Sequence, residues 1–252
     1  MKKTFLNHSN PMLTVMLQCK TPEVAIGKIR NANCLGADAY GLQVETLMPE
    51  FQNPDTYKRL FAEMQGRPSY VTNYRYAYNQ KLTDDELADG LITLAESGAT
   101  LCDVMGDIFC KHPEELTDND EAVQKQMKLI EKLHSIGAEV LMSSHLYKFA
   151  PAERVLEIAF EQKRRGADII KIVTAADTME QQIENLRITN LLKQELGAPF
   201  LFLSGGVSTI HRRLGMKLGC CMSLCVYEHD ALSTASQPLL STMKTIRDSI
   251  DF

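Results

Sequence analysis

Short apolar runs alternate with longer amphipathic stretches along the whole chain. Eight runs are apolar at consecutive positions, the pattern of parallel strands buried on both faces. They are predicted at 12–17 (β1), 38–44 (β2), 69–73 (β3), 101–105 (β4), 139–144 (β5), 168–173 (β6), 200–204 (β7) and 221–225 (β8). Between them lie helical patterns, several with start signals: Thr21-Pro22-Glu23, Thr83-Asp84-Asp85-Glu86 and Asp177-Thr178-Met179-Glu180, the last two at capping-box spacing. A Gly-Ala pair stands just before a β-type run at Gly36-Ala37, Gly98-Ala99, Gly137-Ala138, Gly166-Ala167 and Gly197-Ala198. Glycine there closes a helix in the left-handed conformation, and a small residue starts the return to the sheet.

A regularly repeated αβ unit with eight strands predicts a single (β/α)8 TIM barrel over residues 1–252. An open doubly wound sheet is the other arrangement of such units, but no GxGxxG follows the first strand. Length agrees, since 252 residues suit one closed barrel. The net charge of −5 and the absence of a basic run with interleaved aromatics argue against nucleic-acid binding. No stretch has the length of a membrane span, and residues 1–10 hold no apolar signal core. Seven cysteines, an odd number lying partly in apolar runs, read as buried thiols of a reducing compartment. A cytoplasmic protein is therefore expected. Cys220-Cys221 with Cys225 lacks zinc spacing, and neither a metal nor a cofactor is expected.

In a barrel the chemistry gathers where strands end, at their carboxyl side. Lys171 is the most informative residue, a lysine inside the apolar run Ile169-Ile170-Lys171-Ile172-Val173. Burying an ammonium is costly unless it is paired or neutral, and such a lysine is a candidate nucleophilic amine. The bland reading pairs it with Asp103 or Glu45. His145 stands where β5 ends and can act as base and acid, or can merely cap. Arg213 follows a glycine-containing turn and can clamp an anion, although only one of Arg212 and Arg213 is expected to face inward.

These residues fall in segments that resemble type I 3-dehydroquinate dehydratase. Ser143-Ser144-His145-Leu146-Tyr147 is similar to that family's catalytic-histidine segment, and Gly166-Ala167-Asp168-Ile169-Ile170-Lys171-Ile172 to its imine-lysine segment. Thr72-Asn73-Tyr74-Arg75 resembles its Thr-x-Arg segment. Arg213-Leu214 resembles the arginine that holds the substrate carboxylate, and Ser233 and Gln237 keep the spacing of its last loop. The resemblance implies a cytoplasmic carbon–oxygen lyase of the shikimate pathway, converting 3-dehydroquinate to 3-dehydroshikimate and water. The resemblance implies that Lys171 forms an imine with the ketone and that His145 assists its formation and later hydrolysis and moves the protons of the elimination, with Arg75, Arg213, Ser233, Gln237 and Gln43 around the substrate. A homodimer is an expectation by analogy alone. The chain departs from the family at several positions: Gly41 stands for its second-strand Glu, Gln43 for its Arg, His211-Arg212 for its Ile-Ser and Ser236 for the Gly before its Gln. The acidic residue that follows the family's Thr-x-Arg segment is replaced near Asn79. Such changes alter which hydroxyls and charges a pocket accepts. Two other readings stay open. One is an imine-forming enzyme on a different hydroxylated keto acid or sugar phosphate, as in deoxyribose-phosphate aldolase, whose phosphate loop Ser204-Gly205-Gly206-Val207-Ser208-Thr209 resembles. The other is a non-catalytic ligand-binding barrel.

Overall fold

The computed structural model describes residues 3–6, 8–207 and 209–250. Its strands are β1 (Met12–Leu17), β2 (Ala39–Gln43), β3 (Ser69–Thr72), β4 (Leu101–Met105), β5 (Glu139–His145), β6 (Ile169–Ala176), β7 (Phe200–Gly206) and β8 (Met222–Cys225). The helices are α1 (Pro22–Leu35), α2 (Pro54–Glu63), α3 (Asp84–Glu96), α4 (Asp120–Ile136), α5 (Ala152–Arg164), α6 (Met179–Glu195), α7 (Thr209–Leu214) and α8 (Leu240–Ser249). The strands are parallel, in the order β7-β6-β5-β4-β3-β2-β1-β8. At the seam Cys221 N–H donates to the Phe200 carbonyl at 2.9 Å. The result is a nearly closed (β/α)8 barrel, as expected.

Local chemistry explains the element ends. Thr83 and Glu86 form a full capping box at α3. At α6 the cap is Thr178, which accepts from Gln181 N–H, so that helix starts one residue later than the Asp177 spacing suggests. Gly36 and Gly137 close α1 and α4 with φ of 82° and 97°. Both β6 and β7 run past their predicted ends, because Ala175 pairs with Gly205 and Ala176 with Gly206. Small side chains let the two backbones continue their ladder beyond the apolar core. All seven cysteines are free.

Register decides what faces the barrel interior. Met16 is level with Gly41, Gly41 with Tyr70, Met105 with Ser143, and Ser143 with Lys171. Alternation along each strand then turns Gln43, Thr72, Asp103, His145 and Val173 to the same side. A Cβ built on Gly41 would lie 2.3 Å from Met16 Sδ and 3.0 Å from the Tyr70 ring. Met16 and Tyr70 thus fill the space beside Gly41. Among the described residues no helix is long and apolar enough to cross a membrane, and no cluster of His, Cys, Asp or Glu has the arrangement of a metal site.

Candidate active site

A cavity of about 350 Å3 opens at the carboxyl ends of the strands, lined by Lys171, His145, Tyr70, Tyr74, Gln43, Arg212 and Gln237 among others. Lys171 reaches it from the middle of β6 and is 4% exposed. Its Nζ lies 3.0 Å from Asp103 Oδ2, 2.9 Å from the Tyr70 hydroxyl and 2.8 Å from the Tyr74 hydroxyl. Three acceptors match the three N–H donors of an ammonium. Both phenols also donate to Asp103 Oδ2. Burial first, and the Asp103 charge second, raise both phenols well above the ordinary tyrosine range, so they keep their protons and serve as donors. Among the described residues the other carboxylate oxygen, Asp103 Oδ1, is buried without a partner. The pairing with Asp103 anticipated for a buried lysine is therefore present, inside a cavity rather than a closed core.

His145 extends β5 by one residue and turns its ring into the same cavity. Its Nδ1 bonds Glu115 at 2.9 and 3.0 Å. That contact favours the tautomer with the proton on Nδ1 and leaves Nε2 for a substrate. Glu115 sits in the β4–α4 loop with φ of 49°, and its carbonyl accepts from Ser144 Oγ at 2.8 Å. A strained non-glycine backbone held by such a bond is common where a side chain must be aimed. Tyr147 stacks on the imidazole at 6.0 Å, and Tyr74 meets it edge-on at 5.7 Å.

Across the cavity Arg212 is buried, and its Nε donates to the Ser204 carbonyl at 2.8 Å. Burial alone lowers its guanidinium to about 10. Among the described residues no carboxylate pairs with it. Gln237 Oε1, Gln43 Oε1 and Thr174 Oγ1 are likewise buried without partners, and all three residues line the cavity. Unmet polar atoms around one space are the signature of a polar ligand site.

The cavity gathers some of the residues expected around a substrate and not others. Gln43 and Gln237 line the cavity. Arg75 does not. Its guanidinium is held by Asp84 at 2.6 and 2.7 Å and by Asp107 at 2.7 Å, outside the barrel mouth. Counting two residues on from Thr72 leads to Tyr74, and that is the side chain turned inward. Arg213 donates to the Thr209 carbonyl, so of the adjacent arginines it is Arg212 that faces the cavity. Ser233 is spent on the Asp230 turn, with Oγ donating to Asp230 Oδ1 at 2.8 Å, and Thr234 and Ser236 take its place on the wall. Asn79, where the family's acidic residue was expected to be replaced, donates to Asn73 at 2.7 Å, and the carboxylate on His145 is that of Glu115. Gly205 and Gly206 line the cavity, while Ser208 lies outside the described residues. Sequence reasoning missed Tyr70, Tyr74 and Glu115 as site residues. Period-two alternation in β3 could have shown that Tyr70 shares a face with Thr72, but nothing in the chain marks Glu115.

Gln43 is itself held from behind. Its Nε2 donates to Glu45 Oε1 at 3.2 Å. Glu45 is fully buried and also accepts from Thr72 Oγ1 at 2.9 Å. Burial raises its carboxyl to about 7, against the opposing hydrogen bonds. The native state thus binds this proton more tightly than the unfolded chain. Glu45 contributes stability that is full below the unfolded carboxyl range and is lost as pH rises through about 7. The loss is about 3 kcal/mol between pH 4 and pH 9. Glu45→Gln is expected to flatten that decline in urea unfolding measured across the same range. An unchanged slope would show that Glu45 does not cause it.

Comparison with known proteins adds a family. A family model described as type I 3-dehydroquinase matches residues 13–251. A curated 3-dehydroquinate dehydratase from Geobacillus thermodenitrificans is 29% identical over 36% of this chain. One from Lactiplantibacillus plantarum is 24% identical over 53% of it. The chain spans about a third and about half of the length of these two relatives (36% and 51%). A crystal structure of 3-dehydroquinate dehydratase from Geobacillus kaustophilus superposes with a TM-score of 0.82 at 16% identity, covering 98% of this chain and 95% of that one. The last likeness is one of fold.

Proposed function

Because this chain belongs to the type I 3-dehydroquinase family, we propose that it is a hydro-lyase that dehydrates a hydroxylated keto acid through an imine on Lys171. The observation that carries the reading is one cavity holding both an amine and a cation suited to an anion: Lys171 on one wall, and on another Arg212, whose guanidinium pairs with no carboxylate among the described residues. In this reading Nζ attacks the ketone carbon, and the ketone oxygen leaves as water. The iminium draws electrons from the neighbouring carbon, and His145 Nε2 takes that carbon's proton. The enamine then expels the β-hydroxyl, which leaves as water with the proton that His145 returns. Hydrolysis of the conjugated imine releases the product and Lys171. Arg212 and Gln237 hold the carboxylate and so fix the C–H that faces His145.

The first substrate to test is 3-dehydroquinate, the substrate class of the family and an intermediate of the shikimate pathway. Borohydride reduction with that compound, followed by mass mapping, should put the adduct on Lys171. An adduct on another residue would overturn the mechanism. A different hydroxylated keto acid is the second reading, favoured by the wall of Gln43, Met16 and Tyr74 where the family keeps charge. The aldolase reading is weaker, because the position of its second lysine holds Phe202, which is buried in the apolar core. A barrel that only binds ligand would give neither adduct nor turnover.

Arg212→Lys is expected to raise KM about 10- to 100-fold, since hydrogen bonds to charged groups contribute about 1.5–3 kcal/mol. Lysine keeps the charge and loses the fork. Arg213→Lys should leave KM alone. Steady-state kinetics of the two variants separates them, and equal effects would remove Arg212 from the site.

A further inference from the structure

Tyr74 touches the reacting nitrogen, and the dehydratase reading gives it no part. Its hydroxyl lies 2.8 Å from Lys171 Nζ, donates to Asp103 Oδ2, and sits 3.3 Å from Ser143 Oγ. Tyr70 touches Nζ too and lines the same cavity, but it is fully buried within β3. Tyr74 lies past the end of β3, partly exposed at the mouth, with its ring edge against His145. A carbonyl approaching Nζ from the cavity therefore meets Tyr74 before Tyr70. His145 meanwhile has Nδ1 committed to Glu115.

We propose that Tyr74 is the catalytic acid–base of imine formation and hydrolysis, leaving His145 the later proton transfers at carbon and at the β-hydroxyl. The proposal rests on the imine reading above. In the first step Nζ passes one proton to Asp103, 3.0 Å away. The freed lone pair forms the C–N bond, and the carbonyl π pair moves to oxygen. Tyr74 gives its proton to that oxygen and takes one back from the new C–N nitrogen, which leaves a neutral carbinolamine. The Asp103 proton then travels through Tyr74 to the carbinolamine hydroxyl, which departs as water while nitrogen forms the C=N bond. Asp103 ends as carboxylate and Tyr74 as phenol, as they began. The buried phenol keeps its proton until the alkoxide forms, which suits an acid that must not ionise in the resting site.

The test is rapid-quench borohydride trapping, with the Lys171 adduct followed by mass. The probes are 3-dehydroquinate and glyoxylate, a carbonyl acid that asks only for imine formation. Tyr74→Phe should slow adduct formation about 100-fold with both probes, within the range of general acid–base effects. His145→Ala should trap at close to the wild-type rate while losing turnover, and Tyr70→Phe should slow trapping less than tenfold. Thermal melting reports whether each variant is folded. If folded Tyr74→Phe traps at the wild-type rate, the proposal fails. It also fails if Tyr70→Phe slows trapping as much, since either hydroxyl would then act only by caging the amine. If wild type gives no Lys171 adduct with either probe, the imine reading itself falls, and this proposal with it.

Discussion

Lys171→Met is expected to abolish turnover, lowering kcat by about a million-fold, the scale seen when a covalent nucleophile is removed from a concerted set. Methionine keeps an unbranched stem as far as the ε carbon, with sulfur in place of the δ methylene, and removes the terminal nitrogen. No adduct should form on reduction with borohydride. The same change should disturb stability. Asp103 is fully buried and would keep two phenol donors but lose the cation 3.0 Å away. Breaking a buried pair from one side costs about 3–5 kcal/mol. Lys171→Met with Asp103→Asn should recover most of that loss, because no buried charge is then left alone. Urea unfolding of the single and double variants reads the stability, and trapping reads the chemistry. Measurable turnover by Lys171→Met would sink the mechanism, whatever its stability.

His145→Ala is expected to lower kcat by about 100- to 10,000-fold, the usual contribution of a positioned acid–base group. Its signature differs from that of the lysine variant. The imine still forms, so the fraction of enzyme trapped by borohydride during turnover should rise. Glu115 acts through His145, so Glu115→Gln should show a milder form of the same signature. A neutral amide can still bond Nδ1, but it no longer stabilises the imidazolium that forms when Nε2 takes a proton. Loss of both turnover and trapping in His145→Ala would place the histidine in imine formation instead and would contradict the role given to Tyr74.

The cavity wall formed by Met16, Gln43 and Tyr74 carries no charge. The reason lies in packing. Gly41 has no side chain, and Met16 and Tyr70 occupy the space beside it. Gln43 offers a carboxamide, held by Glu45, and Tyr74 stands inward where the Thr72-x register leads. A ligand with a charged group against that wall would lose its solvation without gaining a partner.

Much of this protein was determined by the order of its residues alone. Apolar runs of the right length, separated by capped amphipathic helices, dictate parallel strands covered on both faces, and eight of them close on themselves. A lysine inside one such run and a histidine at the end of the run before it could be singled out as candidates without coordinates, because burial of a charge is unusual enough to carry information. What surrounds them was decided only by the tertiary structure. Arg75 and Arg213 carry the right chemistry, yet carboxylates outside the mouth and a helix carbonyl hold them elsewhere. Tyr74 and Glu115, 29 and 30 residues from their partners Asp103 and His145, are brought to the site by register and by one strained loop. Local pattern fixes which face of a strand a residue takes. It carries no record of which distant side chain will share that face at hydrogen-bonding distance, and the polar groups around this cavity are set by that sharing.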